Sequence, residues 1–403
     1  MKIGCESNEP SRVKTADMLL PNQRALFDIP DDVAYLNCAY QSPLMNSVVA
    51  AGEEAARWKR HPWDITPHDF FTLPDRGRDL FARIIGAGRD DIAIVPAVSY
   101  GMAIAALNLQ VSKGQEILVL EDQFPSNVYP WREKARESGG RVVTVPRPAP
   151  TLRENAPEAW TPSILEAIGP RTAIVTLPHC HWTDGSLIDL VAVGKKVRRE
   201  GAALVLDVAQ SAGVLPIDVK VIQPDYLVAV TYKWLMGPYS LGFAYIAPHR
   251  RDGRPVEQTW AGRKGAEDFA QLVDYQDEWA PGVQRMDMGE RAQLQLMPMA
   301  VAAMEQILDW GVDNIAATLA EKTRGIAQRA AALGLESVPE DQRAGHFIGL
   351  KFPGGVPGHL LDRLFEQKIY VSARGENMRV TPHLYNTDHD VDRFIAALAA
   401  ELQ

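Results

Sequence analysis

The feature that most constrains the fold is a regular alternation of apolar and amphipathic segments between residues 91 and 247. Helical patterns, for instance at residues 101–109 and 190–200, separate most of the apolar segments. Seven of those apolar segments are typical of buried strands: residues 92–95, 116–120, 141–145, 172–177, 203–206, 226–230 and 241–246. This alternation predicts an α/β fold whose mostly parallel sheet is covered by helices on both faces.

We expect the whole chain to form three parts: an N-terminal arm at residues 1–33, a large domain at 34–290 and a small C-terminal α+β domain at 291–403. The first half of the stretch 291–333 is alanine-rich and predicts a helix that bridges the two domains. Within the small domain we expect strands at residues 346–352, 369–371 and 378–381, and a helix at 388–402. A chain of 403 residues with 46% hydrophobic content is long enough to bury a large core.

Composition argues against several classes of protein. The net charge of -9 is spread without acidic or basic blocks, so neither nucleic acid nor a membrane surface is expected as the main partner. No apolar run approaches the ~20 residues of a membrane helix, and residues 1–17 lack the hydrophobic core of a signal peptide. Three scattered cysteines (Cys5, Cys38 and Cys180) offer no disulfide framework and suit a reducing compartment. We therefore expect a soluble, cytoplasmic protein.

Two polar residues at strand ends are the strongest candidates for chemistry. The strand at 226–230 leads directly to Lys233. A partly desolvated lysine loses its proton more readily, and the neutral amine forms imines. Asp207 ends the strand at 203–206, at the sheet edge where ligands bind in α/β folds. Pyridoxal phosphate requires both groups: an amine to form an imine, and a carboxylate to keep the ring nitrogen protonated. Taken singly, Lys233 could be a surface lysine and Asp207 a helix N-cap.

Two further residues follow strands at the same predicted edge. Ser99 precedes the predicted helix at 101–109, and helix N-termini bind phosphate; an ordinary N-cap is the alternative. Phe124 follows the strand at 116–120, where its ring could stack on a pyridine face; a simple core position is the alternative.

Together, Asp207 with Gln210, Tyr232-Lys233 before a Gly-Pro turn, Ser99 before a helix and the run Phe124 to Asn127 resemble the class V aminotransferase superfamily of fold-type I pyridoxal-phosphate enzymes. This group includes cysteine desulfurases, kynureninases, isopenicillin N epimerase-like proteins and ergothioneine-type lyases. The resemblance covers most of the chain, from Tyr35 to Thr387. It implies a large cofactor-binding domain, a smaller C-terminal domain, pyridoxal 5'-phosphate as cofactor and a homodimer whose active site lies at the interface.

The resemblance also implies roles for individual residues. Lys233 would hold the cofactor as an imine and Asp207 would pair with its ring nitrogen. The other cofactor-binding positions it implies are Ser99, Tyr100, Phe124, Gln210, Tyr232 and Trp260, the last of which would reach the phosphate of the partner subunit. Arg379 matches the arginine that binds the substrate carboxylate, a role suited to its planar fork. The other substrate-binding candidates are Arg374, Tyr40 and Trp182.

The sequence departs from its relatives at two places. The stretch 370–377 lacks the mobile-loop cysteine of cysteine desulfurases, which argues against persulfide chemistry. Trp182 stands where many relatives have an asparagine beside the cofactor oxygen, which suggests a substrate pocket with an aromatic wall. His179 and His181 share one face of the same segment, but no third ligand is suitably spaced, so no metal site is predicted.

These roles imply that an α-amino acid loses its Cα proton to Lys233, giving a Cα carbanion. Loss of a Cβ substituent from it is elimination, whereas reprotonation gives either transamination or epimerisation. Cleavage of a Cβ–S bond is our first prediction, from the resemblance to ergothioneine-type lyases near His181-Trp182-Thr183-Asp184-Gly185. An aminotransferase is the main alternative. Racemisation or epimerisation, kynureninase-like hydrolysis and an inactive cofactor-binding scaffold remain open.

Overall fold

The structure, a computed structural model, describes residues 19–148, 160–352 and 354–402. Most of the predicted N-terminal arm, and Cys5 with it, lies outside the described residues. The helices are α1 (Asn46–Trp58), α2 (Asp69–Ile85), α3 (Val98–Asn108), α4 (Tyr129–Ser138), α5 (Trp160–Ala167), α6 (Leu190–Arg199), α7 (Val219–Ile222), α8 (Met297–Trp310), α9 (Val312–Ala331), α10 (Gly358–Glu366) and α11 (Asp388–Glu401). None of these described helices combines the length and the apolar character needed to cross a membrane.

The described strands are β1 (Ala34–Tyr35), β2 (Ile92–Val95), β3 (Glu116–Leu120), β4 (Arg141–Val145), β5 (Thr172–Pro178), β6 (Ala203–Asp207), β7 (Tyr226–Val230), β8 (Gly242–Ile246), β9 (Ile348–Lys351), β10 (Ile369–Tyr370), β11 (Ser372–Arg374) and β12 (Asn377–Val380). Each of the seven strands predicted between residues 91 and 247 lies within one residue of its predicted bounds.

Seven strands form the central sheet in the order β2-β8-β7-β6-β5-β3-β4. Neighbouring strands from β7 to β4 run parallel, and only β8 runs against the others. Every residue of β2, β6 and β7 is buried, because helices cover both faces, and this explains their nearly continuous apolar sequences. The predicted α/β fold of the fold-type I class is confirmed.

The C-terminal part has its own sheet and core. Strands β11, β12 and β9 form a three-stranded antiparallel sheet, and β1 pairs in parallel with β10. Ala34 and Leu36 pack in the same hydrophobic cluster as Ile348 and Leu350. The start of the predicted large domain is thus packed with the C-terminal part, and the predicted domain limits remain a prediction.

The predicted bridging helix was placed in the wrong half of the stretch 291–333. This stretch forms two helices, α8 and α9, because Gly311 adopts a φ of 78° that ends the first of them. Ile315 on α9 packs in the main core, and Ile326 on the same helix packs in the C-terminal core. The second helix, rather than the first, therefore bridges the two parts.

The topology brings five loops to one edge of the central sheet. Strands β3, β5, β6 and β7 are parallel, and β2 runs in the same direction because both β2 and β7 pair antiparallel with β8. The residues that follow these strands therefore meet at one edge, as expected for open α/β sheets. They are Ser99 after β2, Phe124 after β3, Trp182 after β5, Asp207 at the end of β6 and Lys233 after β7.

Candidate active site

A cavity of about 440 Å³ opens at this edge of the sheet. Seven of the residues predicted for the site line it: Ser99, Phe124, Trp182, Asp207, Gln210, Tyr232 and Lys233. They come from five separate loops that the sheet topology places together. Five of the predicted residues lie outside its lining and are described below.

Lys233 is buried in the wall of this cavity, with 9% of its surface exposed. Its Nζ lies 5.5 Å from the centroid of the Phe124 ring and 5.6 Å from that of Tyr232. Burial lowers the pKa of Lys233 to about 8; Asp207 opposes this shift, while the positive charges of Arg379 and Arg374 add to it. A much larger fraction of this lysine is therefore a neutral, nucleophilic amine at physiological pH than for a lysine in water.

Asp207 ends β6 with its carboxylate buried in the same cavity. Its Oδ1 accepts a hydrogen bond of 3.0 Å from the backbone N–H of Ala209. Burial raises the pKa of Asp207, whereas this amide and the charge of Lys233 lower it. Among the described residues Asp207 forms no salt bridge, so a cationic group in the cavity would gain a buried counter-ion.

The side chain of Gln210 is fixed on both sides of its amide. Its Nε2 donates to the carbonyl of Ala39 at 3.1 Å, and its Oε1 accepts from the Trp234 indole at 2.9 Å. His346 Nε2 donates to the Gln210 carbonyl at 2.7 Å and packs edge-on against Trp234. These contacts leave one N–H of the Gln210 amide for the cavity.

The N-terminus of α3 forms the end of the cavity suited to an anion. The helix begins three residues earlier than predicted, so Ser99 lies in its first turn with an exposed hydroxyl. Ala97 is the N-cap residue and its helix end has no side-chain cap, so the N-cap alternative for Ser99 is not observed. Burial raises the pKa of Tyr232 to about 12, so its hydroxyl remains a donor. Free amides with hydroxyl donors suit a phosphate group.

Two aromatic rings form the wall that faces Lys233. Phe124 and Trp182 pack edge to face, with ring centroids 5.4 Å apart and planes at 86°. The Trp182 indole donates to the Asp122 carbonyl at 2.6 Å, which fixes the ring. Trp182 is thus part of the aromatic wall, and its indole N–H is used in a hydrogen bond to the backbone.

Arg379 lies behind Trp182, outside the lining of the cavity, and only 2% of its surface is exposed. Its Nε and Nη2 donate to Ser372 Oγ at 3.0 and 2.9 Å, and its Nη1 donates to the Trp182 carbonyl at 3.2 Å. Ser372 in turn donates to Asn37 Oδ1 at 2.9 Å. Within the described residues Arg379 forms no ion pair, so the surface ion pair that is the usual state of an arginine is not observed.

Four other predicted residues also lie outside the lining of the cavity. Tyr100 donates to Glu257 Oε1 at 2.8 Å. Tyr40 is 57% exposed, and Trp260 packs edge to face against Phe71. Arg374 lines a neighbouring cavity. The contact predicted for Trp260 with a partner subunit remains a prediction.

Of the two histidines weighed as metal ligands, His181 has its ring nitrogens close to polar atoms of the described chain. His181 is buried, its Nδ1 lies 2.7 Å from Thr183 Oγ1 and its Nε2 lies 3.1 Å from the Glu121 carbonyl. Its ring stacks on Trp160. The part of the chain that the structure describes contains no group of three His, Cys, Asp or Glu side chains placed to hold a metal ion.

Sequence reasoning missed Asn37, Ser372, Trp234 and Tyr239. Trp234 stands directly after Lys233, so its position was a usable signal. Tyr239 lines the cavity and packs against Tyr232, with ring centroids 4.5 Å apart. Asn37 and Ser372 meet only in the folded chain, 335 positions apart, and no local pattern marks them.

The cavity suits pyridoxal 5'-phosphate on the chemistry of its own groups. It offers a buried amine of lowered pKa, a buried carboxylate without an ion-pair partner in the described chain, a free helix N-terminus and an aromatic wall. When bound, this cofactor withdraws electrons from an attached amino acid through its ring. The fold and the cavity together define a fold-type I pyridoxal-phosphate enzyme.

The chain belongs to the aminotransferase class-V family: residues 67–394 match the model of that family. This match confirms the resemblance seen in the sequence, together with the expectation of a pyridoxal-phosphate enzyme.

Known proteins of several activities are similar to this chain. The uncharacterized aminotransferase YcbU of Bacillus subtilis (strain 168) is 28% identical over 80% of this chain and 82% of its own length. The isopenicillin N epimerase of Streptomyces clavuligerus is 24% identical over 91% of this chain and 94% of its own. The apo structure of a cysteine desulfurase from Thermococcus onnurineus NA1 superposes with a TM-score of 0.80 at 19% identity, over 94% of this chain and 97% of that one.

Proposed function

We propose that this enzyme is a lyase that cleaves the Cβ–S bond of a sulfur-bearing α-amino acid. The observation that carries the proposal is the placement of one buried amine, Lys233, opposite a wall built from Phe124 and Trp182. The amine supplies the proton chemistry at Cα, Phe124 is the ring predicted to stack on the cofactor, and Trp182 supplies a surface for a sulfur-containing side chain. Polarisable sulfur makes favourable contacts with aromatic rings, worth about 0.3–1.5 kcal/mol each.

Arg379 would orient the substrate. Its guanidinium is held by Ser372 and by the Trp182 carbonyl, and neither is an anion. A substrate carboxylate is therefore the charge-assisted acceptor that the guanidinium lacks among the described residues. Since both Arg379 and Lys233 are buried, binding there would also remove water from the reacting carbon.

Lys233 would then take the Cα proton. The Cα–H and Cβ–S bonds break, a Cα=Cβ double bond forms, and the sulfur leaves as a thiol after it gains a proton. The released enamine hydrolyses to pyruvate and ammonia when the substrate is a cysteine derivative. Because the pKa of Lys233 is about 8, its amine can both accept and return a proton near neutral pH.

The competing reactions are less well supported. Ser372, Ala373 and Arg374 follow Val371 where a desulfurase would carry its cysteine, so no enzyme persulfide is expected. Epimerisation requires a second proton donor on the opposite face of Cα. The other titratable groups that line the cavity are Cys180, Asp207, Tyr232 and Tyr239. Burial raises the pKa values of the Cys180 thiol and the Tyr232 hydroxyl, which makes both weaker acids; Asp207 is assigned to the cofactor, and Tyr239 is 63% exposed.

An aminotransferase is the second candidate. The same lysine, aspartate and arginine serve transamination, and the relative YcbU is named an aminotransferase. In that reaction the substrate keeps its side chain and leaves as a 2-oxo acid, and its amino group is transferred overall to a second substrate, itself a 2-oxo acid.

We also propose that the enzyme is a cytoplasmic homodimer in which Trp260 reaches the partner's site. Trp260 is 38% exposed and lies outside the cavity of its own subunit, which suits a contact with another chain.

The test is to incubate the purified holoenzyme with S-methyl-L-cysteine and to assay pyruvate and methanethiol, with Lys233→Ala as the inactive control. Equal amounts of thiol and pyruvate support the lyase. A sulfur-containing 2-oxo acid, together with conversion of the bound cofactor to its amine form, would establish the aminotransferase instead. Inversion of the substrate without either product would establish an epimerase.

A further inference from the structure

A second cavity of about 740 Å³ adjoins the first one. Gln123 and Trp182 line both cavities, so the Trp182 indole stands between them. Gln123 is fixed there by hydrogen bonds between its side chain and the backbone of Leu120 and Asn127. The second cavity continues the site beyond its aromatic wall, in the direction of β11 and β12.

The charged groups of this second cavity differ in how they are paired. Arg147 forms a salt bridge with the buried Asp184. Arg374 is half-buried, and its only hydrogen bond in the described chain is one of 2.6 Å from Nη1 to the Ala373 carbonyl. It forms no ion pair within the described residues. A half-buried cation without a partner is a binding group for an anion.

The acidic side chains in the same cavity do not supply that anion. Apart from Asp184, the acidic residues that line it are Glu121, Asp122, Glu336 and Glu376. All four are exposed, and none forms a salt bridge with Arg374 in the described chain. Exposed charges are screened by water and salt, whereas a half-buried guanidinium is screened much less. Lys351 also lines this cavity without a salt bridge in the described chain, but it is exposed. Arg374 is therefore the cation best placed to bind an anion.

Arg374 and Arg379 stand beside the same indole. The guanidinium carbon of Arg374 lies 5.7 Å from the centroid of the Trp182 ring and that of Arg379 lies 5.8 Å from it. The two guanidinium carbons are therefore no more than about 11.5 Å apart. A single amino acid with two carboxylates, one on Cα and one at the end of its side chain, is of a size to reach both.

We propose that the substrate is an α-amino acid whose side chain extends past Trp182 and ends in a carboxylate bound by Arg374. This inference rests on the proposed function for its α-amino acid substrate and for Arg379 as the α-carboxylate site. Arg374 is then a specificity-determining residue, and the Trp182 indole contacts the middle of the side chain. Substrates with short uncharged side chains fill only the first cavity.

Two probes of nearly identical shape test the charge at the end of the side chain. S-carboxymethyl-L-cysteine carries a distal carboxylate, and S-carbamoylmethyl-L-cysteine carries a neutral amide in its place. Their dissociation constants are measured on the holoenzyme from the change in the cofactor absorption band, and pyruvate release is assayed separately. We expect the wild-type enzyme to bind the carboxylate about tenfold more tightly than the amide, as for a charge-assisted pair.

Arg374→Gln should remove this preference and leave the affinity for the amide within about twofold, because the amide makes no charge-assisted bond. Arg374→Lys should retain part of it. Arg363→Gln, which changes an exposed arginine paired with Glu366, is the matched control and should leave both constants unchanged. Equal dissociation constants of the two probes for the wild-type enzyme overturn the inference. An equal loss of affinity for the two probes in Arg374→Gln overturns it as well. Tighter binding of S-(2-aminoethyl)-L-cysteine than of the carboxylate probe also overturns it.

The same experiment separates this inference from the proposed reaction. If the carboxylate probe binds preferentially but releases neither pyruvate nor thiol, the assignment of Arg374 stands and Cβ–S cleavage fails. If both probes bind with equal affinity and both release pyruvate, Cβ–S cleavage stands and the assignment of Arg374 fails.

Discussion

The side chain of Lys233 is buried just after the end of the fully buried strand β7. Its amine lies near the rings of Phe124 and Tyr232. Burial is the largest cause of its lowered pKa, because a cation in an apolar wall loses its hydration. The nearby charge of Asp207 opposes that shift without cancelling it. The lowered pKa that makes the Lys233 amine reactive is therefore a consequence of its buried position just after β7.

The first prediction concerns the pH dependence of cofactor binding. The pKa of Lys233 is lowered from 10.5 to about 8, so its reactive neutral form increases as the pH rises through 8 rather than through 10.5. At pH 7 about one molecule in ten carries the neutral amine. The rate at which the cofactor-free protein combines with pyridoxal phosphate should rise with pH and level off above about 8. A rate that keeps rising to pH 10 would contradict the assignment.

The second prediction compares two buried aspartates. Asp207→Asn should reduce kcat on the order of a hundredfold with the cofactor still bound, because the amide cannot hold a proton on the ring nitrogen. Asp225 is the control: it accepts from the Leu204 amide at 2.8 Å and pairs with Arg250, at the other end of β7. Asp225→Asn should lower the free energy of unfolding by about 1–3 kcal/mol and leave kcat unchanged. Similar kcat values for both variants would refute the role of Asp207.

Residues at strand ends could be predicted from the sequence, and residues that support them could not. Lys233 and Asp207 each follow an uninterrupted apolar strand. The pattern therefore predicted that both lie at the same edge of the sheet and close to each other. The hydroxyl of Ser372 and the amide of Asn37 are separated by 335 positions and meet through tertiary structure alone. The Tyr100 hydroxyl donates to Glu257 Oε1, and the predicted role of Tyr100 in cofactor binding remains a prediction.

Helix α3 and strand β7 pack closely at Gly101, and together they set the distance between the proposed phosphate site and Lys233. Gly101 makes this possible: a Cβ at that position would lie 2.5 Å from Val228 Cγ2 and 2.7 Å from its Cγ1. Those distances are too short for two carbon atoms, so any side chain at residue 101 has to push the helix from the strand.

The third prediction tests this packing. Gly101→Ala should lower the free energy of unfolding by about 1–3 kcal/mol and weaken pyridoxal phosphate binding, because the helix N-terminus moves. Adding Val228→Ala should restore part of both losses. Gly325→Ala is the control, because a Cβ there meets nothing within 4 Å in the middle of α9. It should stabilise the protein by about 0.5–1 kcal/mol through helix propensity. Gly101→Ala behaving like Gly325→Ala would rule out the close contact.

At the level of elements the sequence predicted the sheet well and the helices less well. Strand lengths followed from short apolar runs with breaks at both ends. The stretch 291–333 continues its helical pattern through Gly311, and only the backbone shows that this glycine adopts a left-handed φ and divides α8 from α9. The reversed direction of β8 follows from its connection to β7 through residues 231–241, which contains no crossover helix, and not from its own sequence.

In the whole molecule the proposed substrate site is shared between the two cores. Lys233 and Asp207 lie on the central sheet or directly after its strands, whereas Arg379 lies on β12 of the C-terminal sheet. The N-terminal segment joins the C-terminal sheet, since Asn37 forms an isolated bridge with Thr381 and its side chain accepts from Ser372. The proposed carboxylate site is thus built from segments far apart in the chain.

The fourth prediction tests that network. Ser372→Ala removes the acceptor of two Arg379 donors, so the guanidinium should lose its fixed position and KM for an amino acid substrate should rise about tenfold. The affinity for pyridoxal phosphate should not change, because Ser372 does not line the first cavity. Ser138→Ala, which removes a hydroxyl bonded to the Lys134 carbonyl in α4, is the control and should leave KM unchanged. An unchanged KM in Ser372→Ala would contradict the network.

The most direct test of the account is the identity of the lysine that holds the cofactor. The holoenzyme is reduced with borohydride, digested and analysed by mass spectrometry, with Lys233→Ala treated in parallel. If Lys233 holds the cofactor, the reduced cofactor is found on the peptide that contains Lys233 and on no peptide of the variant. Attachment to a different lysine, or no attachment in the wild-type enzyme, would contradict it.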